Sequence, residues 1–137
     1  MEEFKDDDGN MLARIVRGRD AGDGHQFFTE PSDILQVGLA CFKTDHVFPI
    51  HVHNPVERQT VGTMEVLIVL AGIIRVSVFS DPNDQEHSVK KVSWRLGAGD
   101  AVLIYPGTVH SVTVLDDAKI FEVKSGPYMG KEADKIF

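Results

Sequence analysis

Residues 65–80 read EVLIVLAGIIRVSVFS. Val and Ile dominate this stretch, and β-branched side chains favour strands over helices. The run breaks at Ala71-Gly72, so it reads as a β-hairpin whose arms lie either side of that turn. In the first arm Leu67 and Val69 point to one face, and Val66, Ile68 and Leu70 to the other. Both faces are apolar. One fills a core. The other needs its own cover, which a second copy of the chain supplies most economically. The pattern therefore predicts a homodimer, with loops or an N-terminal strand as the alternative cover.

Short apolar runs broken by turns continue on both sides of this stretch. Residues 11–16, 34–42, 47–53, 88–96, 101–105, 110–115 and 119–124 read as strands. Within 34–42, Leu35, Val37 and Leu39 share one face, and Gln36, Gly38 and Ala40 the other. Pro49 bends 47–53. Residues 19–24 and 54–64 read as loops. Asp81-Pro82-Asn83-Asp84 and Gly97-Ala98-Gly99-Asp100 read as turns. A helical pattern is missing apart from a turn within 131–136. In the second arm of the hairpin Arg75 and Ser77 fall out of phase with Ile74, Val76 and Val78 and read as exterior. Trp94 and Phe121 read as core. The chain reads as all-β, a sandwich or small barrel, in one domain over 1–137.

Composition narrows the function. The 137 residues suit one domain, and the net charge is −7, from 14 basic and 21 acidic side chains. A nucleic-acid partner would call for a basic face, and an anionic membrane surface for basic clusters. A single cysteine, Cys41, excludes an internal disulfide framework and a cysteine zinc cage. The N-terminal MEEFKDDDGN is acidic, unlike a secretory signal peptide. The longest apolar run, 66–74, is broken at Gly72 and falls short of the roughly 20 residues of a membrane span. The expected compartment is a reducing cytoplasm.

Six histidines remain. His51 and His53 are one residue apart, so on a strand both imidazoles share a face. Glu65 lies in phase with Leu67 and Val69, and His110 in phase with Val112 and Val114. A carboxylate or imidazole in line with a core stripe is costly without a partner. One divalent cation inside a barrel would satisfy all four. The plain alternative is a surface HxH pair with hydrogen-bonded core residues elsewhere. His25, His46 and His87 fall in loops or at strand edges.

The stretch His51-Val52-His53, followed by Glu65 and by Gly72 seven residues later, resembles the first cupin motif (about 51–72). The stretch Gly99-Asp100 through Pro106-Gly107 to His110 resembles the second (about 99–114). The resemblance covers roughly residues 34–124. It implies a cupin-type double-stranded β-helix, or jelly-roll, barrel with His51, His53, Glu65 and His110 as ligands of one divalent ion per chain: Fe(II), Mn(II), Ni(II) or Zn(II). Three positions and one spacing depart from the family pattern. Asp45 stands where the family has glycine, and eleven residues, 54–64, separate HxH from Glu65. Tyr105 stands at the turn proline and Val114 at the late asparagine. Glu57, in the long loop, is the substitute ligand if Glu65 is not one. The tail from Glu122 resembles that of small stand-alone bacterial cupins, some linked to surface glycans.

A site of three nitrogens and one oxygen leaves positions open on an octahedral non-heme metal, which can act as a Lewis acid or, as iron, bind oxygen. The expectation is an enzyme on a small polar metabolite, with sugar-related compounds among the candidates, of isomerase/epimerase or oxygenase type. A non-catalytic module that binds or senses a small ligand such as a carbohydrate is the alternative. Isomerisation needs a proton acceptor besides the metal ligands; Glu57 and Tyr105 are the candidates. Arg58 and Gln36 are the candidate substrate-binding residues.

Overall fold

The computed structural model describes residues 1–80, 89–128 and 130. Among these the regular elements are β1 (Glu2–Lys5), β2 (Met11–Val16), a 3₁₀ turn (Gly18–Asp20), β3 (Gly24–Phe27), β4 (Gly38–Cys41), β5 (Glu65–Phe79), β6 (Lys90–Gly97), β7 (Ala101–Ile104) and β8 (His110–Lys124). The chain is all-β. It divides into two compact units, Met1–Asp20 with Gly62–Phe137, and Ala21–Val61.

In the first unit one sheet runs β1-β2-β7-β5-β6, with β8 also paired to β5. The β5–β8 ribbon organises it. Both strands have 15 residues, and they pair antiparallel from Glu65 opposite Lys124 to Val78 opposite His110. Laid straight, such a strand would span about 46 Å at ~3.3 Å per residue. Yet His110, at one end of the ribbon, lies 3.8 Å from Glu65 at the other. The ribbon therefore doubles back on itself.

The corner is visible in the pairing. Register shifts fall between Val69 and Ile74, and each shift adds a residue to one strand and bends it. Gly72 sits there with φ 73°. A Cβ on Gly72 would run into the Asp117 carbonyl, so both conformation and space demand glycine. Before the corner, Glu65–Ile68 pairs with β7 on its other edge. After it, Ile73–Phe79 pairs with β6. Leu67 and Val69 from one arm and Ile74 and Val76 from the other join Ile15, Leu96, Val102 and Ile104 in a single core. Each such burial contributes about 1.5–3 kcal/mol.

The N-terminal end is tied down by charge. Arg17 donates to Asp100 Oδ2 at 2.8 Å, to the Arg95 carbonyl at 3.0 Å and to Glu2 Oε1 at 2.9 Å. It links β1 and the end of β2 to the turn between β6 and β7. Asp6 closes the β1–β2 turn by accepting from the backbone of Asp8 and Asn10 and from the Asn10 amide.

The second unit holds the two-stranded sheet β3–β4, paired from Gly24 opposite Cys41 to Phe27 opposite Gly38. Beside it Phe42 stacks on His46 at 4.0 Å, with Phe48 edge-on to both.

Several expectations are corrected. Residues 65–79 turn sharply at Gly72, but the arms pair with β7, β6 and β8 rather than with each other. Residues 110–115 and 119–124 belong to one bent strand. The strand expected over 34–42 is confined to Gly38–Cys41. Upstream of it, Glu30 N donates to Asp33 Oδ2, Val37 N to Thr29 Oγ1 and Gln36 Nε2 to the Glu30 carbonyl, so a local turn takes the groups a ladder would use. Residues 47–53 form no strand; Pro49 removes one ladder donor. β1 and β3 lie outside the expected strands. Ser77 is buried, not exterior, because it sits mid-sheet between Ser93 and Ser111. Phe121 is 59% exposed rather than core; it lies opposite Ile68, on the face away from Leu67. Trp94 packs on the core as expected. The turn at 81–84, Ser88, His87 and the helical turn in 131–136 lie outside the described residues.

Candidate functional site

Glu65 opens β5. It lies opposite Ile104 on β7 and Lys124 on β8, and directly opposed residues share a face. Leu67 and Val69 continue that face into the core. The Glu65 carboxylate is thus placed on the inner side of the folded ribbon, 15% exposed. His110 opens β8 opposite Val78, with Val112 opposite Val76 and Val114 opposite Ile74. The phase expected for both residues holds. Val112 and Val114, however, are 38% and 55% exposed, so the inner face of β8 is open at this end.

The doubled ribbon brings the two together. His110 Nε2 lies 3.8 Å from Glu65 Oε2, beyond hydrogen-bond reach. His110 Nδ1 lies 2.8 Å from the Thr108 carbonyl. A carbonyl only accepts, so Nδ1 donates to it, and Nε2 is the ring nitrogen turned toward Glu65. His51 has the same arrangement, with Nδ1 2.8 Å from the Pro49 carbonyl. This is how metal-ligating imidazoles are oriented.

Two further residues complete the cluster. Lys124 Nζ lies 3.7 Å from Glu65 Oε2 and 2.7 Å from Glu122 Oε1. Sequence reasoning missed both Lys124 and Glu122. The available signal was the alternation Ile120, Glu122, Lys124, which places all three on one face; that this face lies opposite Glu65, Leu67 and Val69 was not readable.

The remaining predicted residues are distributed differently. His51 and His53 belong to the second unit, and their rings pack edge-to-face with centroids 5.2 Å apart. Their proximity comes from an irregular segment, not the expected strand. Glu57 and Arg58 are exposed in the same unit, and Arg58 Nη1 donates to the Val56 carbonyl at 3.3 Å. Gln36 does not line a strand face: its amide donates to the Glu30 and Asp33 carbonyls. Tyr105 belongs to the first unit and is buried, with the Arg14 guanidinium 5.9 Å from its ring centre. Within either unit, no three His, Cys, Asp or Glu side chains among the described residues stand together as a metal-binding group. A cleft of about 390 Å³ in the second unit is lined by Asp23, Cys41, Phe42 and His46, among others.

Comparison of the chain with protein-family models, with curated proteins and with solved structures yields no match. Among the described residues no helix is long and apolar enough to cross a membrane. Fold and site together define an all-β chain that carries an imidazole, two carboxylates and an ammonium at the end of a doubled-back ribbon.

Proposed function

We propose that the chain is a metal-binding cupin-type jelly roll, with His51, His53, Glu65 and His110 as ligands of one divalent ion, acting as an enzyme on a small polar metabolite. The observation that carries this reading is the Glu65–His110 pair. Two residues 45 positions apart in sequence meet at 3.8 Å, and the backbone contact at Nδ1 leaves Nε2 facing the carboxylate. One imidazole nitrogen and one carboxylate oxygen are the donor types that suit a borderline divalent cation. His51 has its Nδ1 engaged in the same way, and the reading has His51 and His53 supply the other two nitrogens. Bound there, the cation would offer a Lewis acid with open positions.

Further support comes from the chain path. A jelly roll is built from a two-stranded ribbon folded over on itself, as β5 and β8 are. Closing it requires a strand beside β8, whose second edge has no partner among the described residues. Asp45 adopts φ 68°, the left-handed conformation that the family's glycine would take most readily and that Asp tolerates. The homodimer belongs to the same reading: Leu70, Phe121 and Val123 are exposed apolar residues, and Phe121 and Val123 lie opposite Ile68 and Val66 on the outer face. The cytoplasm is the proposed compartment.

Metal analysis of the chain purified without added metal tests the reading. About one equivalent per chain is expected, with loss in His110→Ala and Glu65→Gln. A metal-free wild type that takes up neither Zn(II) nor Co(II) would refute it. Oxygen uptake by the Fe(II)-loaded chain with candidate sugars indicates oxygenase chemistry, and anaerobic turnover indicates isomerase chemistry. Recovery of an unchanged tight ligand indicates a binding module instead.

A further inference from the structure

Lys124 lies opposite Glu65 in the β5–β8 register, so the two side chains share the inner face. Its Nζ is 3.7 Å from Glu65 Oε2 and 2.7 Å from Glu122 Oε1. The closer contact is to the carboxylate that is not a proposed ligand. Glu122 precedes Lys124 by two residues on the same face, and it is 51% exposed against 15% for Glu65. A half-buried carboxylate responds more strongly to a neighbouring charge than an exposed one, and leaving it uncompensated is costly.

We propose that Lys124 is a built-in competitor for the metal: in the metal-free chain it shares its charge between Glu65 and Glu122, and it keeps only Glu122 when a divalent cation takes Glu65. The inference rests on the metal reading above. Lys124 acts here as a positioning residue, not a ligand. The ammonium sits on a flexible four-carbon stem, and both carboxylates are already within its reach. Metal uptake becomes an exchange of one cation for another on Glu65, with Glu122 retaining the ammonium. Glu122 influences the metal through Lys124.

A Co(II) titration of the full chain, read by visible absorption and by calorimetry, tests the exchange. Lys124→Met removes the competitor, so Co(II) binds about fivefold more tightly, the equivalent of one part-exposed ion pair worth ~1 kcal/mol. Lys124→Arg stays closer to wild type. Glu122→Gln removes the alternative partner and weakens Co(II) binding by a similar factor. In the Lys124→Met background the same Glu122→Gln change has no effect. Simple addition of charges predicts equal weakening in both backgrounds. That equality overturns the proposal, as does unchanged affinity in Lys124→Met; Lys124→Gln serves if the methionine variant fails to fold. A wild-type chain that binds no Co(II) refutes the metal reading, and the competitor with it.

Discussion

Gly72→Ala is the sharpest probe of the folded ribbon. Gly72 has φ 73°, and a residue with a Cβ loses roughly 1–2 kcal/mol in that conformation. The new Cβ would also meet the Asp117 carbonyl and lie 2.7 Å from the Ala118 Cα. Both are backbone atoms, so the corner itself must open. Overpacking of this kind costs about 1–3 kcal/mol. Alanine lowers the entropy of the unfolded chain, which returns roughly 0.4–1 kcal/mol. The net loss is about 1–4.6 kcal/mol, a large share of the roughly 5–15 kcal/mol that holds a domain together. Gly9→Ala is the matched control. Gly9 has φ 87°, but nothing lies within 4 Å of its added Cβ, so that variant shows the conformational part alone. The assay is urea unfolding followed by the fluorescence of Trp94, the single tryptophan, which packs on the core. Gly72→Ala should lower stability well beyond Gly9→Ala. Equal losses would show that the strands do not approach at the corner, and the doubled-back ribbon would fall with that result.

Three other perturbations follow from the same architecture. Leu96→Ala empties a fully buried position in the core shared by both arms of the ribbon and should cost about 2–5 kcal/mol in urea titration; a loss under ~1 kcal/mol would contradict its placement. Arg17→Met keeps the aliphatic stem but removes the bonds to Asp100, Glu2 and the Arg95 carbonyl, lowering stability by about 1–3 kcal/mol, with only a minor part recovered by added salt. Asp6 gives a pH signature. The Asn10 amide, helped by the Asn10 and Asp8 backbone N–H groups, holds its carboxyl below the ordinary 3.8. A group depressed in the folded state contributes above its unfolded pKa and loses that contribution as pH falls below 3.8 through the folded value. Asp6→Asn should therefore flatten the fall of the urea midpoint below about pH 4; an unchanged acid limb would exclude Asp6 from it.

Residues 11–16 and 101–105 were legible as strands because their pattern is local: apolar stretches bounded by turn residues need no knowledge of the partner. The same holds for the faces of Glu65 and His110, since alternation along a strand assigns each side chain a side. What alternation does not encode is the partner. Residues 65–79 read as a hairpin because a glycine between two Val/Ile arms ordinarily marks one. Here the glycine turns a strand whose arms bond to three others. Gln36 followed the same course: the spacing put it on a strand face, and local turn bonds claimed its amide.

The chain by itself determined an all-β character, the inward phase of Glu65 and His110, and a glycine between the two apolar arms of residues 65–79. Only the tertiary structure decided that the ribbon doubles back, and hence that Glu65 meets His110 at 3.8 Å with Lys124 and Glu122 beside them. The reason is physical. Which face a side chain takes follows from its own backbone and its nearest neighbours. Which residues lie across from it depends on register and on bulges, and a one-residue slip there moves every side chain to the other face.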